Sequence, residues 1–215
     1  MTDTHVLSRR PKTPTQERGE KRVADLLNAA EQLFATSGYE ATTMNAIASL
    51  AGSAIGSLYQ FFPNKESIAS ALLDRYTDGI IAAMDQWQSS LPDTPREFAS
   101  GLISVVHGYV SKLPAIGALA ETPATVPGSY RMDRLSEGVR ELLIKFDPAI
   151  KHSDLSAIAL ATSFILRATL QGNRMVQKSK GAAFRREMQR ALGSYLEERI
   201  GSGATASAGT GRESR

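Results

Sequence analysis

The stretch TTMNAIASLAGSAIGSLYQFFPNK, Thr42 to Lys65, holds two short segments of helical periodicity with Gly52 between them. Met44, Ile47, Ala48 and Leu50 recur at helix spacing before the glycine. Thr42 or Thr43 stands where a side-chain oxygen caps such a helix. The next helix runs from about Ser53 to Tyr59 or Gln60, and Phe61, Phe62 and Pro63 break it. Two short helices joined by a glycine-containing turn outline a helix-turn-helix. Ile47 and Leu58 are its inward positions, and Ala48 and Ala51 are small where the helices would cross. Ser53, Ala54, Ile55, Ser57, Tyr59 and Gln60 are left between solvent and partial packing. Hydroxyls, an amide and a phenol in such places suit phosphates and base edges.

Outward from that stretch the 3.6-residue period continues, and no strand alternation is evident. Upstream, Val23, Leu26, Leu27, Ala30, Leu33 and Phe34 form one stripe of a helix from Arg18 to Ser37, stopped by Gly38. Downstream, Asn64 is a good N-cap for a long helix from Lys65 to about Ser89. Helices are expected over about 95–113, 130–146, 153–178 and 181–200, with only short or broken helix over the proline-rich 114–128. The fold class is therefore all-α: an N-terminal three-helix head and a larger C-terminal helical body. The expected divisions are a basic arm at 1–17, the head at 18–64, the body at 65–200 and a Gly/Ser/Ala/Thr tail at 201–215 that resembles disordered sequence.

The detailed run is more specific than its outline. LLNAAEQLFATSGYEATTMNAIASLAG followed by GSLYQFFPNKESI resembles the N-terminal domain of the tetracycline-repressor (TetR) family of transcriptional regulators, over Arg18 to Leu72. The remainder is similar in length, helicity and the placing of two long last helices. The resemblance implies a homodimeric, ligand-responsive DNA-binding regulator, a repressor on a palindromic operator, with a small-molecule effector in the body and the last two helices as the dimer interface. It also implies roles by position. Thr42 and Thr43 fall where family members touch phosphate. Ser53, Ala54, Ile55 and Gly56 front the recognition helix, Tyr59 meets the DNA backbone, Gln60 and Phe61 reach bases or sugar-phosphate, and Lys65 meets a phosphate. The chain departs from the family at Ser53–Ala54, which shifts the cap of the third helix, at Ile55, which cannot donate a hydrogen bond, and at Phe61, where histidine is frequent.

Composition bounds the alternatives. With 215 residues and 42% hydrophobic content the chain can bury a full core, and it has no cysteine for disulfides, thiolate chemistry or Cys-ligated zinc. The formal charge of +3 indicates no partner by itself. Divided along the chain it reads +1 over 1–65, −3 over 66–152 and +5 over 153–215, with +3 in the first 22 residues alone, where Arg18, Lys21 and Arg22 adjoin the head. That start has no apolar core, so no signal peptide is expected, and the longest apolar run, Ile158 to Leu166, is half a membrane span. A soluble cytoplasmic protein follows as the expectation.

His5, His107 and His152 stand at no metal-ligand spacing, and there is no HExxH, GxSxG, P-loop or dinucleotide fingerprint, so no enzyme, metal or cofactor is expected. A helical small-molecule carrier is the alternative class, and the intact run from Thr42 to Lys65 argues against it. In the body, Trp87, Phe98, Leu102, Val106, His107, Tyr109, Met132, Phe146, Phe164 and Arg167 are the candidates for a ligand cavity. His107 is the sharpest, being a histidine between apolar neighbours that calls for an acceptor of its proton. The helices 153–178 and 181–200 carry more apolar surface than one packed face needs, which points to a partner copy.

Overall fold

The structure is a computed structural model that describes residues 14–120 and 128–200. These residues form α1 (Pro14–Ser37), α2 (Met44–Leu50), α3 (Ile55–Phe61), α4 (Lys65–Trp87) with a 3₁₀ turn at Gln88–Ser90, α5 (Pro95–Val110), α6 (Ile116–Ala120), α7 (Gly128–Phe146), α8 (His152–Met175) and α9 (Lys178–Ile200), and no strand among them. The chain divides into two units, residues 1–71 and 72–215, so the first turns of α4 belong with the head.

Helix ends follow local chemistry. α1 takes in residues 14–17 of the expected arm, because proline is tolerated in a first turn and Glu17 complements the helix N-terminus. The rest of that arm and the tail at 201–215 lie outside the described residues. Thr43 caps α2, its Oγ1 accepting from the Ala46 N–H at 3.2 Å. Asn64 caps α4 as expected, Oδ1 accepting from the Ser67 N–H at 2.8 Å. Thr94 caps α5 ahead of Pro95. α3 starts at Ile55, two residues later than expected.

In the first unit α1 packs on α2 and α2 on α3. Leu26, Ala30, Phe34, Ile47, Leu58 and Ile68 are fully buried, so the inward assignments of Ile47 and Leu58 hold. The Phe34 and Tyr39 rings meet at 5.3 Å between centroids.

The second unit is built on three pairings, α5 on α9, α7 on α8 and α8 on α9. Phe98, Leu102, Val106, Leu142, Leu143, Ile158, Leu192 and Leu196 are central to its core. The rings of Trp87, Phe98 and Phe146 run in series, with centroids 5.5 Å and 4.5 Å apart. Glycine makes this packing possible: a Cβ on Gly101 would lie 2.3 Å from Cζ2 of Trp87. α8 is long and apolar enough to cross a membrane, but Leu155, Ile158, Thr162, Ser163 and Leu166 of that helix are packed inside the unit.

Gly101→Ala therefore forces the indole off its seat in a closely packed core. The expected loss is about 1–3 kcal/mol of stability. It is measurable by urea unfolding, and Trp87, the chain's one tryptophan, should report the displacement as a change in emission.

Candidate nucleic-acid interface

The turn between α2 and α3 is closed by backbone alone. Gly52 has φ +60°, in the left-handed region where a side chain is strained. Its N–H bonds to Ser49 O at 3.1 Å, and the Ser53 N–H bonds to Ala48 O at 2.9 Å. This pair of bonds is the Schellman arrangement that satisfies the last carbonyls of α2. Ser53 is thereby held in the turn, and Ala54, extended at φ −63° and ψ 140°, precedes α3 with no side-chain cap. The expected start of the helix at Ser53 is corrected to Ile55 on this ground.

The register of α3 follows. Leu58 and Phe62 are buried one turn apart. Opposite them lie Gly56 and Gln60, both exposed, flanked on one side by Ile55 and Tyr59 and on the other by Ser57 and Phe61. Ile55, Tyr59 and Phe61 are 38%, 51% and 39% exposed, large apolar or aromatic surface for one short helix. Between Glu40 and Lys65 the chain has no charged residue, so this whole face is uncharged.

Two of the expected phosphate contacts are engaged elsewhere. Thr42 is buried, and its hydroxyl donates to Gly38 O at 2.7 Å, so it ties the end of α1 to the start of α2 rather than facing out. The exposed neighbour Thr43 is the one whose hydroxyl proton stays available. Lys65 reaches back across the head: its ammonium donates to Tyr39 O at 2.7 Å and Glu40 O at 3.1 Å, and lies 4.3 Å from the centre of the Tyr39 ring. Burial and the neighbouring Glu66 push the Tyr39 phenol up to about 12. Lys65 thus clamps the α1–α2 loop. Sequence spacing could not reveal this, because the partners are 25 and 26 residues away.

A family description for bacterial regulatory proteins of the tetR family matches residues 26–72, which span this helix pair and its supports. That segment of the N-terminal unit is similar to the tetR family. Among curated relatives, the HTH-type transcriptional repressor KstR2 of Mycolicibacterium smegmatis is 36% identical over 92 residues, covering 43% of either chain. The curated relatives it matches are aligned over less than half their length. A TetR-family regulator from Streptomyces coelicolor shares the fold over 85% of this chain and 99% of its own, at 21% identity and a TM-score of 0.69. RolR in complex with resorcinol superposes on 81% of this chain and 89% of its own, at 20% identity and a TM-score of 0.58. The tetR-type head is thus matched by sequence, and the helical body by fold.

In the body the expected cavity residues separate into groups. Phe98, Leu102 and Val106 lie in the core, with Trp87, Tyr109 and Phe146 packed against it. Met132 is buried as well. Phe164 and Arg167 do not join them: both are exposed on α8, because the inward face of that helix is taken by Ile158, Thr162 and Leu166. His107 is also corrected. Its Nε2 faces two donors, Arg185 Nη1 at 2.8 Å and Asn173 Nδ2 at 3.0 Å, so it accepts rather than donates there and its proton sits on Nδ1. Arg185 and Asn173, 78 and 66 residues away, left no local signal in the sequence.

Two outcomes follow. Lys65→Ala should cost the head about 1.5–3 kcal/mol, the range for hydrogen bonds from a charged donor, seen as a lowered thermal midpoint with α2 and α3 otherwise intact. Desolvation first, and the Arg185 charge second, hold His107 below its ordinary 6.5. The unfolded chain therefore takes up a proton before the folded one does, so stability is lost as pH falls through about 6.5 and is unaffected above it. Thermal midpoints between pH 7.5 and 5.5 should show that decline, and His107→Gln, which keeps an acceptor but does not titrate, should flatten it.

Proposed function

We propose that this chain is a sequence-specific DNA-binding transcriptional regulator, a ligand-responsive repressor that acts as a homodimer on a palindromic operator. The observation that carries this reading is the uncharged, exposed face of α3, fixed by the Gly52 turn within the segment that matches the tetR family. In it, Gly56 and Gln60 face base edges, Ser53, Ala54, Ile55 and Phe61 frame them, and the Tyr59 phenol and Thr43 hydroxyl meet phosphates. With Lys65 engaged inside the head, the charge for phosphate binding comes from Arg18, Lys21 and Arg22 on the exposed start of α1.

The dimer interface in this reading is the outer face of α8 with α9. Leu160 and Phe164 lie one turn apart on α8, 42% and 52% exposed, with Ala157 and Ala168 in line above and below. A second copy covering this stripe completes a four-helix bundle and sets two heads on half-sites about 34 Å apart. A small-molecule effector binds in the helical body, whose fold is shared with RolR, a protein solved in complex with resorcinol. It lowers DNA affinity by favouring a dimer whose head spacing no longer matches the operator. The DNA target places the protein in the cytoplasm.

Selection from random duplexes should enrich a palindrome, and binding to it should weaken steeply with salt. Arg22→Ala should reduce the salt slope by about one unit, whereas Lys65→Ala should leave the slope unchanged. Phe164→Glu should convert a dimer into a folded monomer, read by light scattering, and reduce operator affinity by at least about a hundredfold as the second head's contribution is lost. A wild-type protein that elutes as a monomer and enriches no palindrome would refute the reading.

A further inference from the structure

Resting on the DNA-binding reading, we propose that the head selects its half-site through thymine methyl groups and adenine edges instead of guanine, with Ile55 and Gln60 as the specificity-determining residues. Guanine shows two acceptors in the major groove, O6 and N7, and the side chains that satisfy both are arginine and lysine. None stands between Glu40 and Lys65, and the Lys65 ammonium is bonded to Tyr39 O and Glu40 O on the head itself. What α3 presents is one amide, Gln60, on its outermost ridge, and the branched apolar side chain of Ile55 at its N-terminal start, on the flank shared with Tyr59.

Each suits one partner. The Gln60 amide offers a donor and an acceptor, the complement of adenine N7 and N6–H. Ile55 has no polar atom, and the apolar feature of the groove is the thymine C5 methyl. Gly56 adds the access: nothing lies within 4 Å of where its Cβ would be, so the helix backbone beside Gln60 and Ile55 can come close to the base edges. The discrimination is two-sided. Ile55 against a thymine methyl buries carbon on carbon, whereas against guanine it strips water from O6 and N7 and offers no donor in return. A·T pairs are favoured, and G·C pairs at the same positions are penalised.

The test uses the full chain. A half-site is first obtained by selection from random duplexes, and then each of its thymines is replaced in turn by deoxyuridine, which removes only the C5 methyl. The expected half-site has an A·T core, and at one or two positions loss of the methyl weakens binding about fourfold, the effect of one buried methyl-sized group. In Ile55→Ala, whose circular dichroism and thermal midpoint should match wild type because the residue is exposed, that sensitivity disappears. Gln60→Ala should relax the adenine preference at a neighbouring position. An enriched half-site with G·C pairs at its core, tolerance of deoxyuridine at every position, or unchanged sensitivity in Ile55→Ala overturns the inference and leaves the functional reading standing. No enriched sequence at all overturns both.

Discussion

The geometry of the head depends on one backbone constraint, the left-handed glycine at position 52. With φ at +60°, Gly52 turns the chain so that its own N–H and that of Ser53 reach back to Ser49 O and Ala48 O. Those bonds hold Ser53 in the turn, leave Ala54 extended and start α3 at Ile55. A helix advances 100° per residue. A start one residue earlier or later would carry Tyr59 or Phe61 toward the core in place of Leu58 and Phe62. A side chain at position 52 costs about 1 kcal/mol or more through its strained conformation. The larger consequence is a changed face, since every exposed group on α3 takes its direction from this turn.

How much of this could be read from sequence depends on how local the cause is. The helix pair, its glycine, the inward Ile47 and Leu58 and the Asn64 cap are visible within 42–65, because each rests on neighbours a few residues away. The choice between Thr42 and Thr43 as the cap was not visible. Either spacing permits a cap, and what decides it is the reach of the Thr42 hydroxyl to Gly38 O. Lys65 shows the limit more sharply. A lysine at a helix start is a natural phosphate ligand by sequence, but here the loop after α1 brings two carbonyls and a ring to its ammonium. No periodicity encodes that contact.

The same reasoning explains the body. α8 carries apolar residues around most of its circumference, so sequence alone could not say which of them face the core. Packing against α7 and α9 takes the face of Leu155, Ile158 and Leu166, and so Leu160 and Phe164 remain outside. His107 was conspicuous among apolar neighbours, and a polar partner was a sound inference. The sign of that partnership was not readable, because it is fixed by two donors arriving from α8 and α9. With Arg185 and Asn173 both pointing N–H groups at Nε2, only a neutral ring serves all three.

Attraction and discrimination are assigned to different helices in the reading proposed above. Arg18, Lys21 and Arg22 sit on exposed turns of α1, and their attraction to a polyanion is long-ranged and blind to sequence. The α2–α3 segment contributes no charge, so whatever it adds to binding comes from contact, at distances where hydrogen bonding and burial tell one base pair from another. A lysine or arginine on α3 would add, beside any guanine contact it made, a long-range attraction to every duplex, and with it the competition from non-operator DNA. Keeping charge off the face that touches bases leaves the ratio between specific and non-specific binding to short-range complementarity, and that ratio, not affinity alone, is what a regulator needs when non-specific sites are in vast excess.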